Sequence, residues 1–116
     1  MDVVIYHNPA CGTSRKVLAV LREAGLEPKV VDYLIDPPDR ETLKHLLRAM
    51  GKSPRDILRK RGTPYEELGL DDPALTDERI LDAIEQHPIL IERPIVVVGD
   101  KAALCRPAET VAALLG

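Results

Sequence analysis

Short apolar runs alternate with longer amphipathic stretches along this chain. Residues 2–7 and 29–34 are rich in β-branched side chains, and this pattern predicts two strands. Between them, residues 13–25 carry apolar side chains at helical spacing, with Thr13 or Ser14 available as a hydroxyl cap. A helix that joins two neighbouring strands predicts a parallel, right-handed βαβ unit.

The middle of the chain predicts charged, amphipathic helices. Asp39 is a candidate cap for a helix through Met50, and Thr76 for a helix through Gln86. Both stretches place Leu or Ile side chains on one face. Shorter helical segments are expected over 53–59 and 64–68.

The last third predicts a return to strands. Residues 94–98 and 101–105 would form a hairpin around Gly99-Asp100, followed by a helix over 109–115. This element order predicts an α/β class of fold. It is the order of a thioredoxin-like (glutaredoxin-like) fold with a mixed four-stranded sheet, although other α/β folds share it.

The length and composition predict one soluble domain. At 116 residues the chain suits a single domain over 1–116, with a helical insertion at about 36–90. Phe and Trp are absent, so aromatic platforms for nucleic acid bases are not expected, and a net charge of -3 argues against broad binding to nucleic acid or acidic membranes. No apolar run approaches a membrane span, and the N-terminus does not resemble a signal peptide. We therefore expect a cytoplasmic protein.

The two cysteines, Cys11 and Cys105, are expected to be free thiols, because disulfides are rare in a reducing cytosol. The histidines at 7, 45 and 87 show no paired metal-ligand spacing, so no metal site is expected.

Cys11 lies where the first strand meets the first helix. At an ordinary pKa of about 8.5, only about 3% of a thiol is ionised at pH 7. The unpaired N–H groups and the dipole of a helix N-terminus favour a thiolate, and a nearby cation would add to that effect. We therefore predict that Cys11 is a nucleophile rather than a small buried residue.

Three neighbours of Cys11 are candidates for tuning its thiolate. His7 and Arg15 lie four residues before and after it, and Ser14 stands where dithiol oxidoreductases carry a second Cys. Each also has a plain structural interpretation as a strand-end residue, a solvated helix residue or a helix cap. A phosphatase loop would need Arg six residues after the Cys, but Val17 holds that position, which excludes this class.

Three arginines stand at element boundaries, at Arg59, Arg93 and Arg106. Guanidinium groups present several donors in fixed geometry and suit a tetrahedral oxyanion. Each could instead serve structure alone; Arg59, for example, could complement a helix C-terminus. Arg93 directly precedes Pro94, whose peptide bond would be trans on general frequency, since about 5% of X–Pro bonds are cis.

The chain as a whole, from Val4 to about Leu114, resembles the glutathione- and glutaredoxin-linked arsenate reductases. The segments that carry the resemblance are His7-Asn-Pro-Ala-Cys-Gly-Thr-Ser-Arg15, Leu58-Arg-Lys60, His87-Pro-Ile-Leu-Ile91, Arg93-Pro-Ile-Val-Val97 and Leu104-Cys-Arg-Pro107.

The resemblance implies a mechanism and roles for the residues. Cys11 would attack arsenate, with glutathione as co-substrate, glutaredoxin as partner and no bound cofactor or metal. The oxyanion would be held by Arg59, Arg93 and Arg106. His7 and Ser14 would tune the thiolate, and Pro94 would be the cis-proline of thioredoxin-like folds.

Two other functions use the same fold. A non-catalytic regulator would bind a large protein partner, but members of that type carry Cys-x-x-Cys or lack the arginine set, whereas this chain has Ser14. A general glutathione-dependent monothiol oxidoreductase would reduce small mixed disulfides without acting on arsenate.

Overall fold

The computed structural model describes residues 2–116. The chain divides into two compact units: one runs to Asp36 and resumes at Arg93, and the other spans Pro37–Glu92. It stays a prediction that residues 1–116 form one domain with a helical insertion at about 36–90. Within residues 2–116, every helix is too short or too polar to cross a bilayer.

The first unit contains a mixed sheet of four strands among the described residues. Its elements are β1 (Val3–His7), α1 (Gly12–Glu23), β2 (Lys29–Asp32), β3 (Ile95–Val98), β4 (Lys101–Leu104) and α4 (Ala112–Leu115). The strand order is β2-β1-β3-β4, with β1 parallel to β2 and the other neighbours antiparallel. The predicted α/β class and the parallel βαβ opening are confirmed.

An aliphatic core fixes the junction between β1 and α1. Ile5 of β1 and Val17 and Leu21 of α1 are fully buried in one cluster with Val96 of β3. Burial of apolar surface contributes about 25 cal/mol per Å², so α1 is held firmly against the sheet. The end of β1 and the start of α1 are thereby fixed close to each other.

Two boundaries in the first unit differ from the prediction. β2 ends at Asp32 rather than at residue 34, because Asp32 Oδ1 accepts from Leu34 N at 3.1 Å and its carbonyl accepts from Asp36 N at 2.8 Å, which closes a turn. The helix predicted over 109–115 is a 3₁₀ turn, Ala108–Val111, followed by the short α4.

The second unit contains α2 (Arg40–Met50) and α3 (Asp77–Gln86), and both predicted caps are confirmed. Asp39 accepts from Thr42 N at 2.8 Å, and Thr76 accepts from Arg79 N at 3.3 Å. Each cap satisfies an N–H group that the first helical turn leaves without a helical partner. The segment expected over 53–59 is a 3₁₀ turn, Pro54–Ile57, and residues 64–68 form a turn rather than a helix.

Arg40 joins the two helices of this unit. Its guanidinium forms ion pairs with three carboxylates of α3: Glu78, Asp82 and Glu85. Together these partners raise the pKa of Arg40, chiefly through the hydrogen bonds to Glu85 and Asp82. Arg40, at the start of α2, thus binds carboxylates spread along the length of α3.

Candidate active site

Cys11 is itself the N-cap residue of α1. Its backbone is extended, with φ -94° and ψ 123°, and no side-chain oxygen caps the helix, so the predicted hydroxyl cap at Thr13 or Ser14 is wrong. The backbone N–H groups of Ser14 and Thr13, in the first turn of α1, lower the pKa of the Cys11 thiol. The same N–H groups that a hydroxyl would satisfy here stabilise a thiolate.

Two guanidinium groups complete the surroundings of the Cys11 sulfur. Arg106 Nη1 lies 3.6 Å from Cys11 Sγ, and the Arg93 side chain also favours the thiolate form of Cys11. Partial burial by itself raises the pKa of Cys11. The hydrogen bonds from Ser14 N–H, from Arg93 and Arg106 and from Thr13 N–H outweigh it, so the pKa is lowered overall. Cys11 is partly exposed, as a nucleophile must be.

Both arginines directly precede a proline. The Arg93–Pro94 and Arg106–Pro107 peptide bonds are both cis. Arg106 Nη1 also donates to the Arg93 carbonyl oxygen at 3.1 Å. Two cations from distant parts of the sequence therefore meet at one sulfur.

His7 and Ser14 form a buried polar pair beneath this loop. The Ser14 hydroxyl lies 2.6 Å from His7 Nδ1 and accepts from Asn8 N at 3.1 Å. Ser14 therefore contacts Cys11 through its backbone N–H, whereas its hydroxyl faces His7. Burial lowers the pKa of His7, with help from Arg22 and Arg15 and against the opposing charge of Asp32.

Arg15 and Arg59 belong to different units of the chain and make different contacts. Arg15 Nη1 donates to the Pro9 carbonyl at 2.9 Å and so braces the loop that carries Cys11. Arg59 belongs to the second unit, where its Nη1 pairs with Glu92 at 2.9 Å and its Nε donates to the Arg61 carbonyl at 3.0 Å. It follows the 3₁₀ turn without capping a helix C-terminus, and its role toward an oxyanion stays a prediction.

Two buried polar residues join the site that sequence reasoning did not single out. Tyr33 is fully buried and Asn8 is 4% exposed. Burial raises the pKa of Tyr33, against the opposing influence of Arg93 and Asn8. The sequence gives only a weak signal that either residue belongs to the site. Tyr33 falls at the end of a predicted strand, and Asn8 is a residue type that is common in turns.

The part of the chain that the structure describes contains no candidate metal centre. No group of three or more His, Cys, Asp or Glu side chains there could hold an ion. Cys105 is fully buried in the apolar core of the first unit, and its burial raises its pKa to about 11. The thiol suited to chemistry is Cys11.

Comparison with known proteins places this site in a family. Residues 6–114 match the model of the ArsC family. The arsenate reductase of Rhizobium meliloti (strain 1021) is 54% identical over 115 residues, covering 99% of this chain and 82% of that protein. The arsenate reductase of Escherichia coli (strain K12) is 52% identical over 114 residues, covering 98% of this chain and 81% of that protein.

Solved structures agree. The arsenate reductase from Vibrio cholerae superposes with a TM-score of 0.92 at 44% identity, covering 97% of each chain. The predicted thioredoxin-like fold is confirmed by this likeness. From its fold, its full-length similarity and its matched residues, the chain belongs to the ArsC family.

Proposed function

We propose that this protein is an arsenate reductase that converts arsenate to arsenite through an adduct on Cys11. The observation that carries the proposal is the Cys11 sulfur held between helix N–H groups and two guanidinium groups. That arrangement attracts an oxyanion to a thiolate, the pair of reactants that the reaction needs. The arsenate reductases with about half of their residues identical to this chain support the choice of substrate.

The first step forms a sulfur–arsenic bond. The Cys11 thiolate attacks As(V), and one arsenate oxygen leaves as water with protons from the substrate and solvent. Arg93 and Arg106 hold the remaining oxygens and offset their charge. Arg59 supplies a third guanidinium in this proposal. His7 and Ser14 keep the Cys11 loop in place, and Arg15 braces it through the Pro9 carbonyl.

External thiols complete the reaction. A glutathione thiolate attacks the Cys11 sulfur, and the electron pair of the sulfur–arsenic bond passes to arsenic, which leaves as As(III). The resulting Cys11–glutathione disulfide is cleaved when a glutaredoxin thiolate attacks the glutathione sulfur and frees Cys11. Two thiol electrons thus reduce one arsenate. Position 14 holds Ser rather than a second Cys, so a resolving thiol from outside fits this chain.

The proposal places the protein in the cytoplasm. Glutathione and glutaredoxin keep thiols reduced there, and both Cys11 and Cys105 are free. Pro94 follows Arg93 in a cis peptide bond, and in this proposal it is the cis-proline of the site. No bound prosthetic group takes part in the scheme.

The decisive test is arsenate-dependent NADPH consumption coupled through glutathione, glutathione reductase and glutaredoxin. We expect turnover by the parent protein and by Cys105→Ser, because Cys105 is buried in the core. Cys11→Ser should show none. Turnover by a clean Cys11→Ser protein would rule out the adduct, and reduction of small mixed disulfides without arsenate turnover would favour a general monothiol oxidoreductase.

A further inference from the structure

Glu92 and Arg59 form an ion pair in the second unit. Arg59 Nη1 lies 2.9 Å from Glu92 Oε1, and only 18% of the Arg59 side chain and 24% of the Glu92 side chain are exposed. Arg59 Nε donates to the Arg61 carbonyl oxygen at 3.0 Å. Two of the three guanidinium nitrogens thus have acceptors, and together these acceptors set the plane of the group.

The third nitrogen of this guanidinium, Nη2, is left for another acceptor. Among residues 2–116, the hydrogen bonds of the Arg59 side chain use Nε and Nη1 only. A guanidinium holds its N–H donors in one rigid plane, so an anion beside Nη2 meets donors whose direction is already set. Groups that are ordered beforehand lose little freedom when a ligand binds.

Backbone hydrogen bonds hold both ends of the ion pair. Arg59 N donates to the Leu90 carbonyl at 2.7 Å, and Glu92 N donates to the Ile57 carbonyl at 2.8 Å. The Thr63 hydroxyl donates to the Arg59 carbonyl at 2.7 Å. Because the two segments are already joined through the main chain, the Arg59–Glu92 contact only has to order the side chains.

We propose that Glu92 is a positioning residue, whose carboxylate fixes the direction of the Arg59 guanidinium and leaves Nη2 to donate to the bound oxyanion. This inference rests on the proposed function, in which Arg59 is the third guanidinium for arsenate. Without Glu92, the guanidinium keeps its hydrogen bond to the Arg61 carbonyl, but one hydrogen bond does not fix a planar group. The charge of Arg59 would persist, whereas its donors would no longer hold one direction.

An ion pair that served only the fold would behave differently. It would join residues 57–61 to residues 90–92, and its loss would lower the Tm without changing arsenate binding by the folded protein. Protection of Cys11 from iodoacetamide by arsenate measures that binding, because an oxyanion at the sulfur blocks alkylation. Protection and Tm together therefore distinguish the two roles.

Glu92→Ala tests the inference. We expect the arsenate concentration that halves the rate of Cys11 alkylation to rise about tenfold, as for the loss of a hydrogen bond to a charged group. Glu92→Gln keeps an acceptor oxygen on a side chain of the same length, so its rise should be smaller. Glu67→Ala is the control; Glu67 is exposed in the second unit, and this variant should match the parent.

A double-mutant cycle identifies the route of the effect. If Glu92 acts through Arg59, Glu92→Ala should change little in an Arg59→Ala background. An equal rise in both backgrounds, an equal rise in Glu92→Gln and Glu92→Ala, or parent-like protection of folded Glu92→Ala would overturn the inference. Should Glu92→Ala fail to fold, Glu92→Asp draws the carboxylate back by one methylene and should raise the same concentration, and parent-like protection would again overturn the inference.

The protection experiment also separates this inference from the proposed function, because it needs arsenate but neither glutathione nor turnover. If arsenate protects the parent protein but is not reduced, the proposed reaction is lost and the Glu92 variants still test the positioning role. If the parent reduces arsenate and Glu92→Ala is protected equally well, the positioning role alone is lost. A parent protein without any protection would overturn the inference.

Discussion

Arg106 Nη1 lies 3.6 Å from Cys11 Sγ, although 95 positions separate the two residues in the sequence. The same nitrogen donates to the Arg93 carbonyl at 3.1 Å. A guanidinium fixed by its own backbone surroundings loses little freedom when an anion arrives. The site is therefore arranged for a negative charge before any substrate binds.

Replacement of Arg106 should raise the pKa of Cys11. Arg106→Lys keeps the charge but loses the second donor, whereas Arg106→Gln loses the charge as well. We expect the pKa to rise from parent to Lys to Gln, measured as the midpoint of the alkylation rate against pH. Identical midpoints in the three proteins would contradict a direct contact between Arg106 and the sulfur.

The buried thiol of Cys105 predicts a pH dependence of stability in the alkaline range. Burial raises the pKa of Cys105 from 9.0 to about 11, so the folded state favours the neutral thiol. A raised pKa gives stability that is complete below the unfolded value and is lost as the pH rises through the folded value.

Cys105→Ala removes this titration. The difference in the free energy of unfolding between parent and Cys105→Ala should narrow as the pH rises from 9.0 to about 11, as measured by urea denaturation under reducing conditions. A constant difference over that range would mean that the Cys105 thiol ionises without cost in the fold.

Arg40 should stabilise the second unit through its three carboxylates. Arg40→Gln leaves Glu78, Asp82 and Glu85 close together without their shared cation, so we expect a lower Tm. Because salt screens exposed ion pairs, the loss should shrink at high ionic strength. Arg48→Gln, on an exposed position of α2, is the control and should match the parent at every salt concentration.

The parts of the fold that depend on neighbouring residues could be predicted from the sequence. Asp39 and Thr76 each satisfy an N–H group three residues further along, so their caps are visible as short motifs. The β1–α1–β2 crossover follows from the apolar spacing of residues 2–34 for the same reason. The prediction of Cys11 as a nucleophile came from its place at that junction.

Contacts between distant residues could not be predicted in this way. Ser14 and Thr13 are equivalent as hydroxyl caps in the sequence, and only the packing of α1 shows that Ser14 is fully buried beside His7. The sequence predicts Tyr33 in a strand, but Tyr33 lies in the turn after Asp32 and is fully buried there. Contacts between residues that are distant in the sequence depend on tertiary packing, which the local sequence pattern does not determine.

Ser14 and Thr13 offer a matched pair for a last prediction. Ser14→Ala removes the hydroxyl that accepts from Asn8 N and contacts His7 Nδ1, and it leaves buried polar groups unsatisfied at a cost of about 1–3 kcal/mol. The loss should appear in the free energy of unfolding. The loosened loop should also slow the alkylation of Cys11, since the backbone N–H of Ser14 donates to that sulfur.

Thr13→Ala removes the neighbouring hydroxyl, which does not cap the helix. Its stability should stay within about 0.5 kcal/mol of the parent, as for most substitutions away from buried polar contacts. Equal losses in the two variants would mean that each hydroxyl merely supports the first turn of α1. A loss confined to Ser14→Ala would instead tie the stability of the cysteine loop to the buried contact with His7.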